Sequence, residues 1–413
     1  MKNRNSKFKY KKHSKKTYNI IDDINKSGFI FNDSKEDEQK NPEWMNPETI
    51  NIQDTNKRFE QEILDYVEYI TPKNNSLAKR EKTFELFTKI VNKYRPDWKI
   101  FLFGSFKQNI ATVFSDLDFL ILYENKNSSE YDLKEMYNLM NFLKKEEFSN
   151  NIRLAKAKVP VLRATCSATG INVDISVNRE NGNQAVEALQ TVLTKYSILR
   201  PSIIILKLLL KKFNLNDPHS GGMNSFLLFH LVYFFYIHKI NEKNKEDNSD
   251  LNLDNKEKNK YFSFNVSNNP KINLSLDDQI SSNNSLNMVH DNSSENNFEN
   301  EEIDFENIGN FIYLFLKFYG YEFDYKRFGL CLNKNNFGNY YIKDERKDME
   351  CSKTISAESI IEKGKDVGLN CYNYPIIIKL FKEAYNIIKY EKEKNVCSIL
   401  NSLGFPSIDL NKI

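Results

Sequence analysis

The chain has 413 residues, a formal net charge of +3 and 28% charged residues. A chain of this length can form two domains, each with its own core. The longest apolar stretches contain polar interruptions and fall short of the roughly 20 residues that span a bilayer. The N-terminus also lacks an apolar signal core, so we expect neither a membrane protein nor a secreted one.

The cysteine pattern bears on the cellular compartment. The five cysteines are Cys166, Cys331, Cys351, Cys371 and Cys397. They include no C-x-x-C pair, which argues against a built-in zinc site. Scattered cysteines of this kind are typical of proteins from a reducing compartment.

The first 56 residues are polar and lack apolar periodicity, so we expect either a disordered tail or a tail that docks on a partner. Residues 2–16 carry eight Lys or Arg side chains and no Asp or Glu. Such a basic run can bind RNA or act as a nuclear localisation signal, although many similar runs do neither.

Two amphipathic helices are predicted between residues 57 and 97. The first has its apolar face at Phe59, Ile63, Leu64, Val67 and Ile70. The second has its apolar face at Phe84, Phe87, Ile90, Val91 and Tyr94, and Pro96 closes it.

Strands are predicted to dominate residues 98–180, with one helical interruption near residues 133–148. Further helices are predicted at residues 184–196, 200–213 and 224–239. Residues 241–302 are rich in Asn, Ser, Asp and Glu without a sustained pattern, which predicts a disordered insertion.

The most informative segment joins a Gly104-Ser105 turn to two carboxylates, Asp116 and Asp118. Apolar runs on both sides predict buried strands, and a Gly-Ser turn between strands lets backbone amides approach phosphate oxygens. Alternate residues of a strand share a face, so the two carboxylates should point the same way. Either motif alone is commonly an ordinary surface turn or a polar strand start, but together they favour a site for a nucleotide and its metal ions.

A third carboxylate is expected on a neighbouring strand, because two metal ions held by two side chains would be poorly fixed. The candidate is Asp174, in a segment where apolar residues 171, 173, 175 and 177 alternate with polar ones. A lone Asp on a strand is commonly solvated, but its place in the chain fits a partner for the first two. The segment 159–165 is its predicted partner strand.

These residues resemble the signature of the DNA polymerase β-like nucleotidyltransferases. The blocks at residues 155–161, 181–182 and 219–222 narrow the resemblance to the noncanonical poly(A) polymerases of the TRAMP type. The resemblance covers roughly residues 57–240 and 303–392, which together are the predicted folded body.

The resemblance implies an α+β fold with two parts. A nucleotidyltransferase palm, a mixed sheet with helices, is expected at residues 98–180. A helical central domain is expected from both flanking segments, residues 57–97, 181–240 and 303–392. The remaining residues 393–413 are assigned to a C-terminal tail.

The resemblance also assigns contacts to the nucleotide beyond the Gly104-Ser105 turn. Asn181 would contact the ribose 2′-hydroxyl, although Asn-Gly is also a common turn. Lys207 and Lys211 would reach the β- and γ-phosphates; charged helix residues are usually solvated, but their neighbours here are strongly apolar. Ser225 would hold the triphosphate, and Phe226 would stack on the base unless it is simply a core residue.

The implied reaction is the addition of AMP from ATP to an RNA 3′ end. Asp116, Asp118 and Asp174 would hold two Mg²⁺ ions, with Mn²⁺ as an alternative. The base would be read by a late loop at residues 362–368, which contains Asp366 but departs from the family pattern around it. Relatives that add uridine commonly carry a His in this region, and this chain has none beyond residue 290, so ATP is favoured over UTP.

The resemblance further implies a setting in nuclear RNA surveillance and processing, in the nucleus or nucleolus. The expected partners are a zinc-knuckle RNA-binding protein and an RNA helicase. Two alternatives remain open: a terminal uridylyltransferase, and a catalytically inactive RNA-binding scaffold with the same fold.

Overall fold

The computed structural model describes residues 29, 31, 41–123, 129–155, 160–178, 182–250, 307–332, 338–394 and 396–407. The strands are β1 Lys99–Phe103, β2 Leu117–Leu122, β3 Ile152–Ala155, β4 Val161–Thr165, β5 Asn172–Val177, β6 Phe328–Cys331 and β7 Asn339–Ile342. The α-helices are α1 Pro47–Ile50, α2 Thr55–Ile70, α3 Asn74–Tyr94, α4 Gly104–Lys107, α5 Ser129–Lys145, α6 Gly182–Lys195, α7 Leu199–Lys212, α8 Ser225–Asp250, α9 Ile308–Lys317, α10 Tyr374–Lys394 and α11 Ile399–Ser402.

The first five strands form one sheet in the order β1-β2-β5-β4-β3. Strands β2 and β5 run parallel, and every other neighbouring pair is antiparallel. This mixed sheet, with α3 and α5 packed against it, confirms the α+β palm expected from the sequence.

One face of the palm sheet carries its hydrophobic core. Leu117, Phe119 and Ile121 of β2 are completely buried, and Phe119 stacks on Phe87 of α3 with ring centroids 4.3 Å apart. Because successive strand residues point to opposite faces, Asp118 is directed to the other side of the sheet. The alternation in β2 therefore separates the core face from the face that carries the polar residues.

A second hydrophobic core lies in the helical domain, which is built from segments on both sides of the palm. Helices α2, α7, α8, α9 and α10 contribute to this one core. Helix α7 is apolar around most of its circumference, which suits a helix buried from several sides. The central domain expected from both flanking segments is thus observed. None of the helices in the described ranges is long and apolar enough to cross a membrane.

The structure corrects three boundaries that the sequence predicted. The tail assigned to residues 1–56 is wrong at its C-terminal end, because Trp44 and Met45 are buried in the helical core and α1 begins at Pro47. The insertion assigned to residues 241–302 begins too early, since the backbone of α8 stays helical to Asp250. The rest of that insertion and most of the N-terminal tail lie outside the described residues.

The assignment of residues 393–413 to a tail is the third correction. Ile399, Leu400, Leu403 and Phe405 are buried in the helical core. Helix α11 has only four residues, so it is too short to produce a recognisable apolar period.

The sequence pattern also did not predict the β6–β7 pair or the bridges beside it, because these elements are short. The antiparallel pair β6 and β7 has four residues in each strand, too few alternations to separate a strand from a loop by pattern. The segment around residues 352–368 adds single bridges, Leu330 with Ala357 and Glu358 with Asp366. This small sheet supports the loop that the resemblance assigns to base recognition.

Glu62 of α2 joins the C-terminal segment to the helical domain. Its fully buried carboxylate accepts hydrogen bonds from the Ser398 hydroxyl at 2.9 Å and from the backbone N–H groups of Leu400 at 3.0 Å and Ile399 at 3.3 Å. Burial raises the pKa of Glu62 to about 8. The carboxylate caps the first turn of α11 from outside that helix.

We expect Glu62→Ala to lower the free energy of unfolding by about 2–3 kcal/mol, because buried donors would lose their acceptor. Denaturant unfolding followed by circular dichroism measures the change. Glu68→Ala is the matched control on the same helix, since Glu68 is exposed and pairs with Lys73 on the surface. That ion pair should contribute less than about 1 kcal/mol. Equal losses in the two variants would contradict the capping role.

Candidate active site

The turn between β1 and α4 brings backbone amides next to a carboxylate. Gly104 has φ of +66°, in the left-handed region that glycine adopts without strain. A Cβ atom at this position would lie 2.0 Å from Oδ2 of Asp118, so a side chain cannot be accommodated. The backbone N–H of Ser105 donates a hydrogen bond to the Asp118 carboxylate. The Gly-Ser turn therefore packs directly against the Asp118 carboxylate and holds it by a backbone hydrogen bond.

Asp118 and Asp174 lie directly opposite each other on the parallel strands β2 and β5. Their strand neighbours Leu117 and Val173 are buried in the palm core, so both carboxylates lie on the other face of the sheet. Asp116 lies just before β2 begins at Leu117, so it occupies the approach to the strand rather than the strand itself.

Electrostatics in this carboxylate group fit a divalent cation. Burial, together with the charges of Asp174 and Asp116, raises the pKa of Asp118 to about 7. Burial also raises the pKa of Asp174, although nearby Arg163 opposes this effect. The raised pKa values show that the neighbouring cations offset the clustered negative charge only in part. Carboxylate oxygens are also the ligands that Mg²⁺ prefers.

The three aspartates do not form a closed ligand set on their own. Within the residues that the structure describes, no three His, Cys, Asp or Glu side chains are close enough together to hold a metal ion. Asp116, Asp118 and Asp174 are the residues that would hold the ions.

Arg80 of α3 supports the loop that leads to Asp116, and the sequence analysis missed it. Its side chain is 2% exposed, and its guanidinium donates to the carbonyl oxygens of Ser115 at 2.7 Å and Val113 at 3.0 Å. Burial lowers the pKa of Arg80, and the charge of Asp116 opposes that shift. Arg80 therefore fixes the backbone that positions the first carboxylate and also places a positive charge near it.

Two lysines of α7 face the carboxylates from the helical domain. Burial lowers the pKa of Lys207 to about 8, and the charge of Asp118 opposes the shift. The Lys211 ammonium donates to the Phe114 carbonyl at 3.1 Å, and burial lowers its pKa as well. The acidic face of the palm and the basic face of α7 thus form opposite walls.

The start of α8 continues the wall that the α7 lysines form on the side of the helical domain. The Asn224 side chain accepts a hydrogen bond from the backbone N–H of Leu227 at 2.8 Å, so it caps the helix. Ser225 and Phe226 occupy the first turn, where free backbone N–H groups and the helix dipole favour an anion.

The predicted residues converge on one cleft of about 780 Å³ between the palm and the helical domain. Those that line it are Gly104, Ser105, Asp116, Asp118, Asp174, Lys207, Lys211, Ser225 and Phe226. Asn181 lies outside the described residues, and Asp366 does not line the cleft.

Asp366 instead organises its own loop. It is 5% exposed, and its two oxygens accept hydrogen bonds from the Ser352 backbone N–H at 2.6 Å, the Ser356 hydroxyl at 2.6 Å, the Ala357 N–H at 3.0 Å and the Gly368 N–H at 2.7 Å. A carboxylate with four donors has little capacity left for a ligand. Any contact to a base from this segment would therefore come from residues that Asp366 supports.

His230 connects that loop to the cleft, and its position was not foreseen. It is fully buried one turn after Phe226, with the two ring centroids 4.5 Å apart. The Ile360 backbone N–H donates to His230 Nε2 at 3.1 Å, which leaves Nδ1 to donate to the Phe226 carbonyl at 2.7 Å. Burial lowers the pKa of His230 to about 4, so the ring is neutral and bridges Phe226 to the late loop.

Residues 59–194 match the family model described as "Poly(A) RNA polymerase, mitochondrial-like, central palm domain". The chain is 30% identical over 192 residues to Poly(A) RNA polymerase protein 2 of Saccharomyces cerevisiae, covering 45% of this chain and 32% of that protein. It is 31% identical over 178 residues to Poly(A) RNA polymerase cid14 of Schizosaccharomyces pombe, covering 43% of this chain and 26% of that protein. The chain thus spans about a third or less of the length of these relatives.

The fold is similar to the solved polymerase core of TRAMP, an RNA surveillance complex. The TM-score is 0.65 at 19% identity, over 88% of this chain and 97% of that one. Residues 59–194 therefore match the model of a poly(A) RNA polymerase palm domain, and the chain shares the fold of the TRAMP polymerase core.

Proposed function

We propose that the protein adds AMP from ATP to the 3′ end of RNA without a template. The observation that carries this proposal is the cleft itself, in which Asp116, Asp118 and Asp174 of the palm face Lys207 and Lys211 of α7. Carboxylates for divalent cations on one wall and ammonium groups on the other suit a metal-bound triphosphate.

The residues have distinct roles in the proposed reaction. Bound divalent ions would neutralise the triphosphate and lower the pKa of the attacking hydroxyl. Asp174 accepts the proton of the RNA 3′-hydroxyl, whose oxygen forms a bond to the α-phosphorus. The bond from that phosphorus to the bridging oxygen breaks, and pyrophosphate leaves. Lys207, Lys211 and Ser225 hold the β- and γ-phosphates throughout.

Ribose and base contacts extend the same proposal. Asn181 would contact the ribose 2′-hydroxyl, and Phe226 would stack on the base. We favour ATP over UTP because the segment at residues 362–368 contains no His. His230 touches the neighbouring Ile360, but both of its ring nitrogens are already engaged within the protein. It is therefore not free to read a base edge.

The cellular role belongs to the proposal as well. A nuclear setting, with a zinc-knuckle RNA-binding protein and an RNA helicase as partners, is supported by the fold shared with the polymerase core of TRAMP and by the basic run at residues 2–16. Co-purification from nuclear extract tests the partners.

Incubation of the purified protein with an RNA primer and each ribonucleotide separately tests the reaction. We expect extension with ATP, and Asp116→Asn should lower its rate by at least about a thousandfold, since metal-held charge stabilisation is worth several kcal/mol. Asp97→Asn makes the same charge change at an exposed residue outside the cleft and should leave the rate unchanged. Extension with UTP alone would favour the uridylyltransferase alternative, and full-rate extension by Asp116→Asn would overturn the site assignment.

The raised pKa of Asp118 generates a pH prediction for the metal-free protein. Its folded pKa of about 7 lies above the usual aspartate value of about 4, so this group destabilises the fold progressively between those two pH values and fully above pH 7. Asp118→Asn should therefore raise Tm above pH 7, and the difference should disappear in acid. Addition of Mg²⁺ should raise Tm of the wild type and not of the variant. An equal effect of Mg²⁺ on both proteins would argue against Asp118 as a ligand.

The hydrogen bonds of His230 to Phe226 and Ile360 lead us to expect that its removal weakens the binding of ATP. His230→Leu leaves the Ile360 N–H without its acceptor, so KM for ATP should rise about tenfold with a smaller change in kcat. His238→Leu is the control on the same helix, where His238 contacts Tyr340 and Gly338 instead. Steady-state kinetics with ATP and UTP compare the two variants. A larger loss of ATP preference in His238→Leu would contradict the role of His230.

A further inference from the structure

A row of charged side chains crosses the cleft face of the palm sheet in register. Asp118 on β2 faces Asp174 on β5, Asp174 faces Arg163 on β4, and Arg163 faces Arg153 on β3. All four line the cleft. Paired residues of neighbouring strands lie on the same face, so two carboxylates are continued by two guanidinium groups.

Neither guanidinium is fully used by the protein. Arg163 Nε lies 3.5 Å from Asp174 Oδ2, yet this buried atom has no hydrogen-bond partner among the described residues. Arg153 is exposed on the edge strand β3, and its charge opposes the rise in the pKa of Asp174. Like charges directly opposite each other on paired strands are destabilising. This arrangement suits an anion that lies between or above the two arginines.

The position of the arginines separates them from the proposed triphosphate site. Gly104-Ser105 follows β1 at one end of the sheet, whereas Arg153 lies on β3 at the other end. Residues next to the arginines on the same face, Asn151, Thr165 and Asn172, are polar and uncharged. The anion at this end is therefore a different one from the β- and γ-phosphates.

We propose that Arg153 and Arg163 form a phosphate subsite for the RNA primer, and that they bind the phosphate on the 5′ side of its terminal nucleotide. This inference rests on the proposed function, in which the primer 3′-hydroxyl lies at Asp174. The phosphate one sugar away from that hydroxyl falls on the next strands of the row, about 5–10 Å from Asp174 at the usual strand spacing. Guanidinium groups are well suited to phosphate oxygens because they donate two hydrogen bonds in one plane.

Arg153 offers the cleaner test, because changing Arg163 would also disturb Asp174. With a short oligoadenylate primer and ATP, Arg153→Gln should raise KM for the primer about tenfold, since one charge-assisted contact is lost. KM for ATP should stay unchanged. The slope of log KM against log salt should fall by about 0.7, the value for one phosphate contact on a single strand. Arg153→Lys should restore most of that slope.

Arg327→Gln is the matched control, because Arg327 is exposed and lies outside the cleft. It should change neither KM. Thermal unfolding should give Arg153→Gln the same Tm as the wild type or a higher one, since a like-charge pair is removed.

A primer with an uncharged methylphosphonate at its last internucleotide linkage identifies the phosphate. The wild type should lose about as much affinity for it as Arg153→Gln loses for the normal primer, and the variant should lose little more. The subsite would be contradicted if the methylphosphonate and the Arg153→Gln substitution each weakened primer binding to the same extent whether or not the other was present. A rise in KM for ATP, or a fall in kcat alone, would contradict it as well.

Equilibrium binding of both primers, followed by fluorescence anisotropy without nucleotide, repeats the comparison without catalysis. It separates failure of this inference from failure of the proposed function. A wild type that binds the two primers differently but extends neither would contradict the proposed reaction. A wild type that extends RNA, with no effect of Arg153→Gln on either primer, would contradict the subsite.

Discussion

The parallel pairing of β2 with β5 brings two carboxylates into direct opposition, and much of the surrounding structure balances the charge that results. Asp118 and Asp174 are both partly removed from water, where two negative charges side by side are unfavourable. Lys207 compensates from the helical domain and Arg163 compensates from the next strand. The repulsion between these carboxylates is relieved when a cation binds between them, so it favours the binding of a cation and of a phosphorylated ligand that carries one.

The precision of the cleft depends on residues that do not line it. Arg80 fixes the loop before Asp116 through backbone carbonyls, and Asp366 gathers four donors to shape its loop. His230 then joins that loop to Phe226. Each is a buried polar group held by two or more hydrogen bonds, and such groups hold one conformation strongly because losing a partner is costly.

Much of the palm and the cleft could be predicted from the chain. The apolar alternation around Asp174 and the runs beside Gly104-Ser105 are strong local patterns, because a strand with one buried face has a strict period of two. His230 could not be foreseen, since a single His on an apolar helical face is usually a core residue. Arg80 left a faint signal: it falls on the buried face of α3 with Phe87 and Val91, where a charge needs a partner.

The sequence by itself predicted the kind of chemistry that we propose, because the Gly-Ser turn, the three aspartates and their strand periodicity are local features of the chain. Only the tertiary structure decided which side chains meet. The opposition of Asp118 to Asp174 and of Arg163 to Arg153 depends on strand order and register, which pair residues far apart in the chain. The burial of residues 399–405 depends in the same way on distant partners such as Glu62. Local patterns specify which face of an element is apolar, but long-range packing alone specifies what that face contacts.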